Sequence, residues 1–257
     1  MSPTSNTTGL RGQQGFTFVE MVVVLVMVGL MSWASFSAYE TVNDQRSRSQ
    51  AQAMAREMQS QLRTFSIRQG RLPCPDSNTV GTGYEGLVGG VCSAGNQLGW
   101  FPYVSLGMVL PAEALRARYA VFRAANGAAV SDADLAVIKE RTGDPISHVN
   151  YQDVTDLMKA LINANGLTLN SSHAFLTGDE AAGGPINCTT NQVMNVAYWL
   201  VIPLEDRNGN NSRLDSPHET GSLCANSPSS PIRADNDDVV FSESPAQLAG
   251  WLRKSLP

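Results

Sequence analysis

A single carboxylate, Glu20, interrupts an otherwise uncharged run of 23 residues from Phe16 to Ala38. As a helix this run would be about 35 Å long, enough to cross a hydrocarbon core of about 30 Å. An ionisable side chain at that depth costs roughly 2.5 kcal/mol or more, so it implies a partner or an escape to the headgroups. A second candidate for chemistry is the stretch Asp206, Asn208, Asn210, Ser212 and Asp215. Its alternating oxygen side chains imitate the first half of a calcium loop, where hard ligands converge on one ion. Gly209 and Pro217 depart from the EF-hand pattern, and Asn208-Gly209 also fits an Asx-rich hairpin turn. Of the acidic residues Asp235, Asp237 and Asp238 further on, one is available to lend a ligand.

The remaining reactive residues argue for structure rather than catalysis. Cys74, Cys92, Cys188 and Cys224 permit three disulfide pairings. The local one, Cys74–Cys92 with Cys188–Cys224, closes short Gly-rich loops and is the expected one. Without a C-x-x-C pair, and with His148, His173 and His218 scattered, zinc is not expected. There is no G-x-S-x-G, H-E-x-x-H or Walker loop, so enzymatic activity is not expected. The net charge of −5 and the absence of an aromatic-basic stripe argue against nucleic acid as a partner.

The elements that must position these residues are legible in outline. Residues 1–15 are rich in Ser, Thr, Gly and Gln, with Arg11 the one charge, and read as a processed leader. From Phe16 to Gln69 the only helix breaker is Gly29; Gly70 and Pro73 supply the stop. One helix is therefore expected, membrane-spanning over 16–38 and amphipathic over 39–69. Ala51, Met54, Met58, Leu62 and Phe65 form its apolar stripe.

Beyond it, residues 70–257 read as one globular domain. Pro73-Cys74-Pro75 fixes an extended segment that is not a central strand. Trp100, Phe101 and Tyr103 supply aromatic packing against the helix. Arg118–Arg123 alternates like a strand, and Asn195–Ile202 is apolar and β-branched enough for a central one, with Val239–Ser242 as its partner. Two helices are expected in an insertion at about 131–165. One is capped near Ser131–Asp134, runs to Arg141 and is stopped by Gly143 and Pro145; the other runs from Tyr151 to Ala164. A short helix over Pro245–Lys254 closes the chain, and the polar stretch Cys224–Asp238 reads as a loop.

Gly15, Phe16, Thr17, Val19 and Glu20, followed by the unbroken apolar run, resemble the class III signal of type IV pilins and type II secretion pseudopilins. The resemblance covers about 25 residues. It implies cleavage after Gly15 by a prepilin peptidase, N-methylation of Phe16 and retention of the helix. The new Phe16 amine would lie one turn from Glu20 in the same apolar layer, and a pair between subunits would set the register of stacked helices. The segment from Leu72 to Cys92 also resembles a subset of large pilin-like proteins, and some pseudopilins hold calcium in a loop beside the sheet.

The expected fold is therefore α+β: a long N-terminal helix packed on an antiparallel sheet, pilin-like, with a helical insertion. The expected protein is a minor pilin or minor pseudopilin of the bacterial inner membrane, single-pass with a periplasmic C-terminal domain, joining a filament with other pilins or pseudopilins. Calcium is the one cofactor considered. The rival readings are a tip adhesin, whose partner is a surface or DNA, and a signal-anchored or signal-cleaved periplasmic protein. Cleavage at Ser32-Trp33-Ala34 would start the latter at Ser35.

Overall fold

A computed structural model describes residues 17–142, 153–179, 186–219 and 221–255. The chain divides into two compact units, residues 1–46 and 47–257. Helix α1 (Phe18–Gln69) is the first element of the fold. It is followed in order by β1 (Leu87–Val88), β2 (Val91–Cys92), β3 (Leu98–Trp100), β4 (Arg118–Val121), β5 (Arg123–Ala124) and β6 (Ala133–Asp134). Next come α2 (Val154–Gly166), β7 (Phe175–Thr177), β8 (Gln192–Asn195), β9 (Tyr198–Ile202), β10 (Cys224–Ala225), β11 (Val239–Glu243) and α3 (Pro245–Ser255). The architecture is α+β, with the long N-terminal helix and antiparallel sheet that the sequence leads one to expect.

In the first unit the apolar side chains from Phe18 to Phe36 are all exposed, Phe18 by 82% and Leu30 by 62%. This stretch is long and apolar enough to cross a membrane by length and composition. A helix apolar on all sides needs lipid or other helices around it.

The second unit is built on an antiparallel sheet of order β11-β9-β4-β3. One face buries Tyr119, Val121, Tyr198 and Leu200 beneath Ala51, Ala55, Met58 and Leu62 of α1, with Leu157 of α2 and Leu248 of α3 in the same cluster. Spacings of four, three and four residues put the α1 side chains on one helical face. Met54 and Phe65 of the expected stripe pack only at its margin. The opposite face, with Ala120, Trp199 and Val201, is covered by the smaller sheet β10-β7-β8 through Leu176 and Ala225. In that sheet β7 is parallel to β10 and antiparallel to β8. Tertiary ion pairs fasten the helical layer: Arg63 of α1 donates to Glu243 of β11 at 2.5 Å and stacks on Trp251 of α3 at 5.0 Å. Glu243 also accepts the Tyr198 hydroxyl at 2.6 Å.

The segment Pro73–Asp76 runs as an extended flank of the sheet, Asp76 exchanging backbone hydrogen bonds with Trp100 beyond β3. Gly99 is required there, since a Cβ would lie 2.3 Å from the Asp76 carbonyl oxygen. Phe101 and Tyr103 are buried on the helix side, in edge contact at 4.9 Å, but Trp100 falls on the opposite face.

Two expectations are corrected. The apolar run Asn195–Ile202 is not one strand. Val196 bonds to Ala174 beside the small sheet and Ala197 to Glu243 beside the large one, so the chain changes sheet between β8 and β9. Val196 and Ala197 at the crossing are both fully buried, and an unbroken apolar run carries no mark of it. Nor is there a helix from Ser131 to Arg141. A 3-10 turn at Ala129–Ser131 leads into β6, and the chain is irregular from Leu135 to Thr142. The acidic residues that imitate an N-cap serve buried arginines: Asp134 accepts from Arg123 at 2.8 Å and Asp132 from Arg141 at 2.8 Å. A local capping preference worth about 1 kcal/mol yields to buried ion pairs whose disruption costs several times more. The second helix of the insertion exists, with Asp153 as N-cap and Asp156 completing a capping box. Tyr151, Gly143, Pro145 and His148 lie outside the described residues.

Replacing Asp132 by Ala strands the fully buried Arg141 guanidinium. The expected loss is about 3–5 kcal/mol of unfolding free energy, read by chemical denaturation. A loss below about 0.5 kcal/mol, the range of an ordinary surface substitution, would remove this pair from the core's support.

Candidate functional site

The expected N-terminal site is partly within the described residues. Gly15 and Phe16 lie outside them, and Thr17 and Glu20 lie within. Thr17 is the residue before α1, and both its N–H and its hydroxyl donate to Glu20 Oε2, at 2.8 and 2.9 Å. The Glu20 N–H donates back to Thr17 Oγ1 at 3.3 Å. This is a capping box, in which a Thr N-cap and a Glu at the third helical position satisfy each other's orphan N–H groups. Glu20 also favours the positive end of the helix dipole. Both Thr17 contacts fall on Oε2, so among the described residues Oε1 remains open to an outside donor. The sequence reading missed the part played by Thr17, although Thr-Phe-Val-Glu spells the T-x-x-E signature at the head of an apolar helix.

The expected calcium-loop residues use their oxygens locally. Asp206 accepts the N–H groups of Gly209, Asn210 and Asn211. Asn208 accepts from Asn210, Asn210 from Ser212, and Ser212 from Leu214. These are successive Asx- and Ser-type turns, with Gly209 and Asn211 at positive φ. Only Asp215 leaves the loop. It joins Asp237 and Asp238 in a buried triad whose candidate ligand oxygens lie within 4.8 Å of one another. Asp215 accepts from the backbone of Arg207, Asn208 and Asp237, and Asp237 accepts from Glu205 N and Arg207 Nε. Asp238 Oδ2 accepts from Asp215 N, whereas its Oδ1 is buried without a partner. Burial, with the neighbouring Asp238 carboxylate, pushes Asp215 up to about 6. Burial likewise raises Asp238 from its ordinary value, against the lowering effect of His218. Asp235 is not part of the triad.

His218 contacts Asp238 Oδ2 through Nδ1 at 2.8 Å, an arrangement that resembles a catalytic dyad. Both side chains are fully buried, and Nε2 accepts the Asn226 N–H at 3.3 Å. With Nε2 accepting from Asn226, Nδ1 is left to donate to Asp238, so both nitrogens are engaged. The ring links β10 to β11 and has no nitrogen free to act as a base.

The cysteines are bonded as Cys74–Cys92 and Cys188–Cys224, with Cα separations of 5.5 and 5.9 Å that suit a disulfide. The first ties the Pro-rich segment after α1 to the β1–β2 hairpin, where Arg71 pairs with Glu85 at 2.5 Å. The second anchors the start of the Cys224–Asp238 loop.

Comparison with known proteins adds one finding. Residues 10–36 match the family described as the prokaryotic N-terminal methylation motif. No curated protein and no solved structure matches the chain. The match encloses Gly15, Phe16, Thr17 and Glu20 together with most of the apolar run, so the chain carries the N-terminal signature of type IV pilins and pseudopilins.

Proposed function

We propose that this protein is a minor pilin or minor pseudopilin, a structural subunit that joins a filament through its N-terminal helix. The N-terminal methylation motif at residues 10–36 carries the reading. A prepilin peptidase would cut between Gly15 and Phe16 and methylate the new amine. Until assembly the chain would wait in the inner membrane with its globular domain in the periplasm, an oxidising compartment suited to two disulfides. The exposed apolar side chains of Phe18–Phe36 would then pass from lipid to the helices of neighbouring subunits. Glu20, capped through Oε2 by Thr17, would offer Oε1 to the Phe16 amine of an adjacent subunit. A charge pair in an apolar layer is strongly position-dependent, since breaking it leaves an uncompensated ion. It would therefore select register more than it adds stability. The bulk of the domain supports a scarce subunit over the repeating one.

A second reading, a bound calcium ion, rests on the Asp215–Asp237–Asp238 triad. Converging buried carboxylates with one unpartnered oxygen carry excess negative charge, and hard oxygen donors suit a divalent ion such as calcium. These three side chains would hold it.

Mass analysis of the mature protein tests the main reading: N-methylated Phe16 is expected at its start, and a chain beginning at Ser35 would overturn it. Glu20→Ala is expected to insert and be cleaved normally while incorporation into filaments falls by an order of magnitude or more; normal incorporation rejects the pairing. Thr17→Val removes the hydroxyl from the cap, a loss of about 1 kcal/mol. Amide exchange over residues 18–21 should accelerate about fivefold, and unchanged exchange would reject the cap. For the triad, calcium at about a hundred times its Kd adds about 2.7 kcal/mol, seen as a rise in thermal midpoint that Asp237→Asn removes. An unchanged midpoint between millimolar calcium and chelator eliminates the ion.

A further inference from the structure

The face of the four-stranded sheet turned away from α1 carries a guanidinium without a counter-ion. Arg118, the first residue of β4, is 8% exposed; its side-chain Nε is buried without a hydrogen-bond partner, and among the described residues no carboxylate pairs with its guanidinium. Its one compensating contact is the Trp100 ring, whose centroid lies 4.9 Å from the guanidinium carbon. A cation over an aromatic ring recovers only part of what withdrawing the ion from water costs. Burial accordingly pulls the Arg118 pKa down from its ordinary value.

Trp100 also lines a cavity of about 520 Å³, within the size range of small-ligand sites. Two more arginines, Arg116 and Arg213, line the same cavity. Both are held by carbonyl oxygens rather than carboxylates. Arg116 donates to Pro111 and Val80, and Arg213 donates to Leu204 at 2.8 Å. A carbonyl fixes the fork without neutralising it, leaving further N–H groups for a charged acceptor. Glu113 is the one acidic residue of the lining, whereas the chain as a whole is acidic at −5. Pro203 and Leu214 add apolar wall beside the indole.

We propose that this cavity binds a small ligand bearing a carboxylate or phosphate, its oxyanion held by Arg116 and Arg213, with Arg118 behind Trp100 supplying the third positive charge. Planar guanidinium forks match both oxyanions bidentately. The body of the ligand lies against Trp100, Pro203 and Leu214. The site belongs to the globular unit alone and does not depend on the filament reading.

The Trp100 indole N–H, which donates to the Thr79 carbonyl at 3.1 Å, is a reporter beside the site. Full-length protein in detergent, with indole nitrogens labelled and the Trp100 signal assigned from Trp100→Phe, is titrated with inorganic phosphate and separately with succinate. Sodium chloride at matched ionic strength is the control. A saturable shift of the Trp100 signal with one or both anions is expected, and the stronger response identifies the oxyanion. Arg213→Gln, at an exposed position, should weaken binding about tenfold, the effect of losing one charge-assisted hydrogen bond, with the thermal midpoint unchanged. Arg118→Gln should weaken it as well. Shifts that merely track ionic strength, or saturable binding that Arg213→Gln leaves intact, would overturn the proposal.

Discussion

A helix satisfies its own backbone but cannot bury its own apolar side chains, and α1 meets that constraint in two ways. From Ser47 onward it lays Ala51, Ala55, Met58 and Leu62 on a sheet supplied by the same chain. From Phe18 to Phe36, within the first unit, the apolar side chains stand exposed among the described residues. By length and composition this stretch suits an apolar surround, and a polar group at that end must be compatible with one. The cap of Thr17 on Glu20 fits the requirement, since it answers orphan N–H groups that lipid cannot.

The globular unit solves a different problem, that of polar groups inside a layered core. Arg63 with Glu243, Arg123 with Asp134, and Arg141 with Asp132 each join elements distant in sequence or hold an irregular segment in place. Buried pairs of this kind give modest net stability but penalise alternatives heavily, because any other packing leaves a charge unpaired. Arg141, paired with Asp132, ties the irregular stretch Leu135–Thr142 back to the segment that leads into β6. Arg118 breaks the pattern, and the Asp215–Asp237–Asp238 triad breaks it with the opposite sign. In these two places buried charge of one sign meets an aromatic ring or further carboxylates.

The expectations that matched the structure rested on long or covalent signals. The α1 stripe follows from a periodicity sustained over many residues, the closing helix from a shorter one, and the partnership of β9 with β11 from two apolar, β-branched runs. Those that missed rested on short ones. Ser131–Asp134 has the composition of a cap, but its carboxylates are needed by Arg123 and Arg141. Asn195–Ile202 looks like one strand because Val196 and Ala197 at the crossing are as apolar and buried as β9 itself. The alternating oxygens at 206–212 accept the N–H groups of their own turns.

The sequence alone determined the N-terminal processing motif, the membrane-length apolar run and the stop at Gly70, because each is written in contiguous residues and governed by local chemistry. It also contained the Thr17–Glu20 box, three residues apart. Only the tertiary structure decided that Asp215 leaves its loop for Asp237 and Asp238, that His218 spends both nitrogens, and that Arg118 is buried beside Trp100. Those outcomes depend on residues that meet through strand register and sheet crossing, where side chains remote in sequence compete for the same few partners.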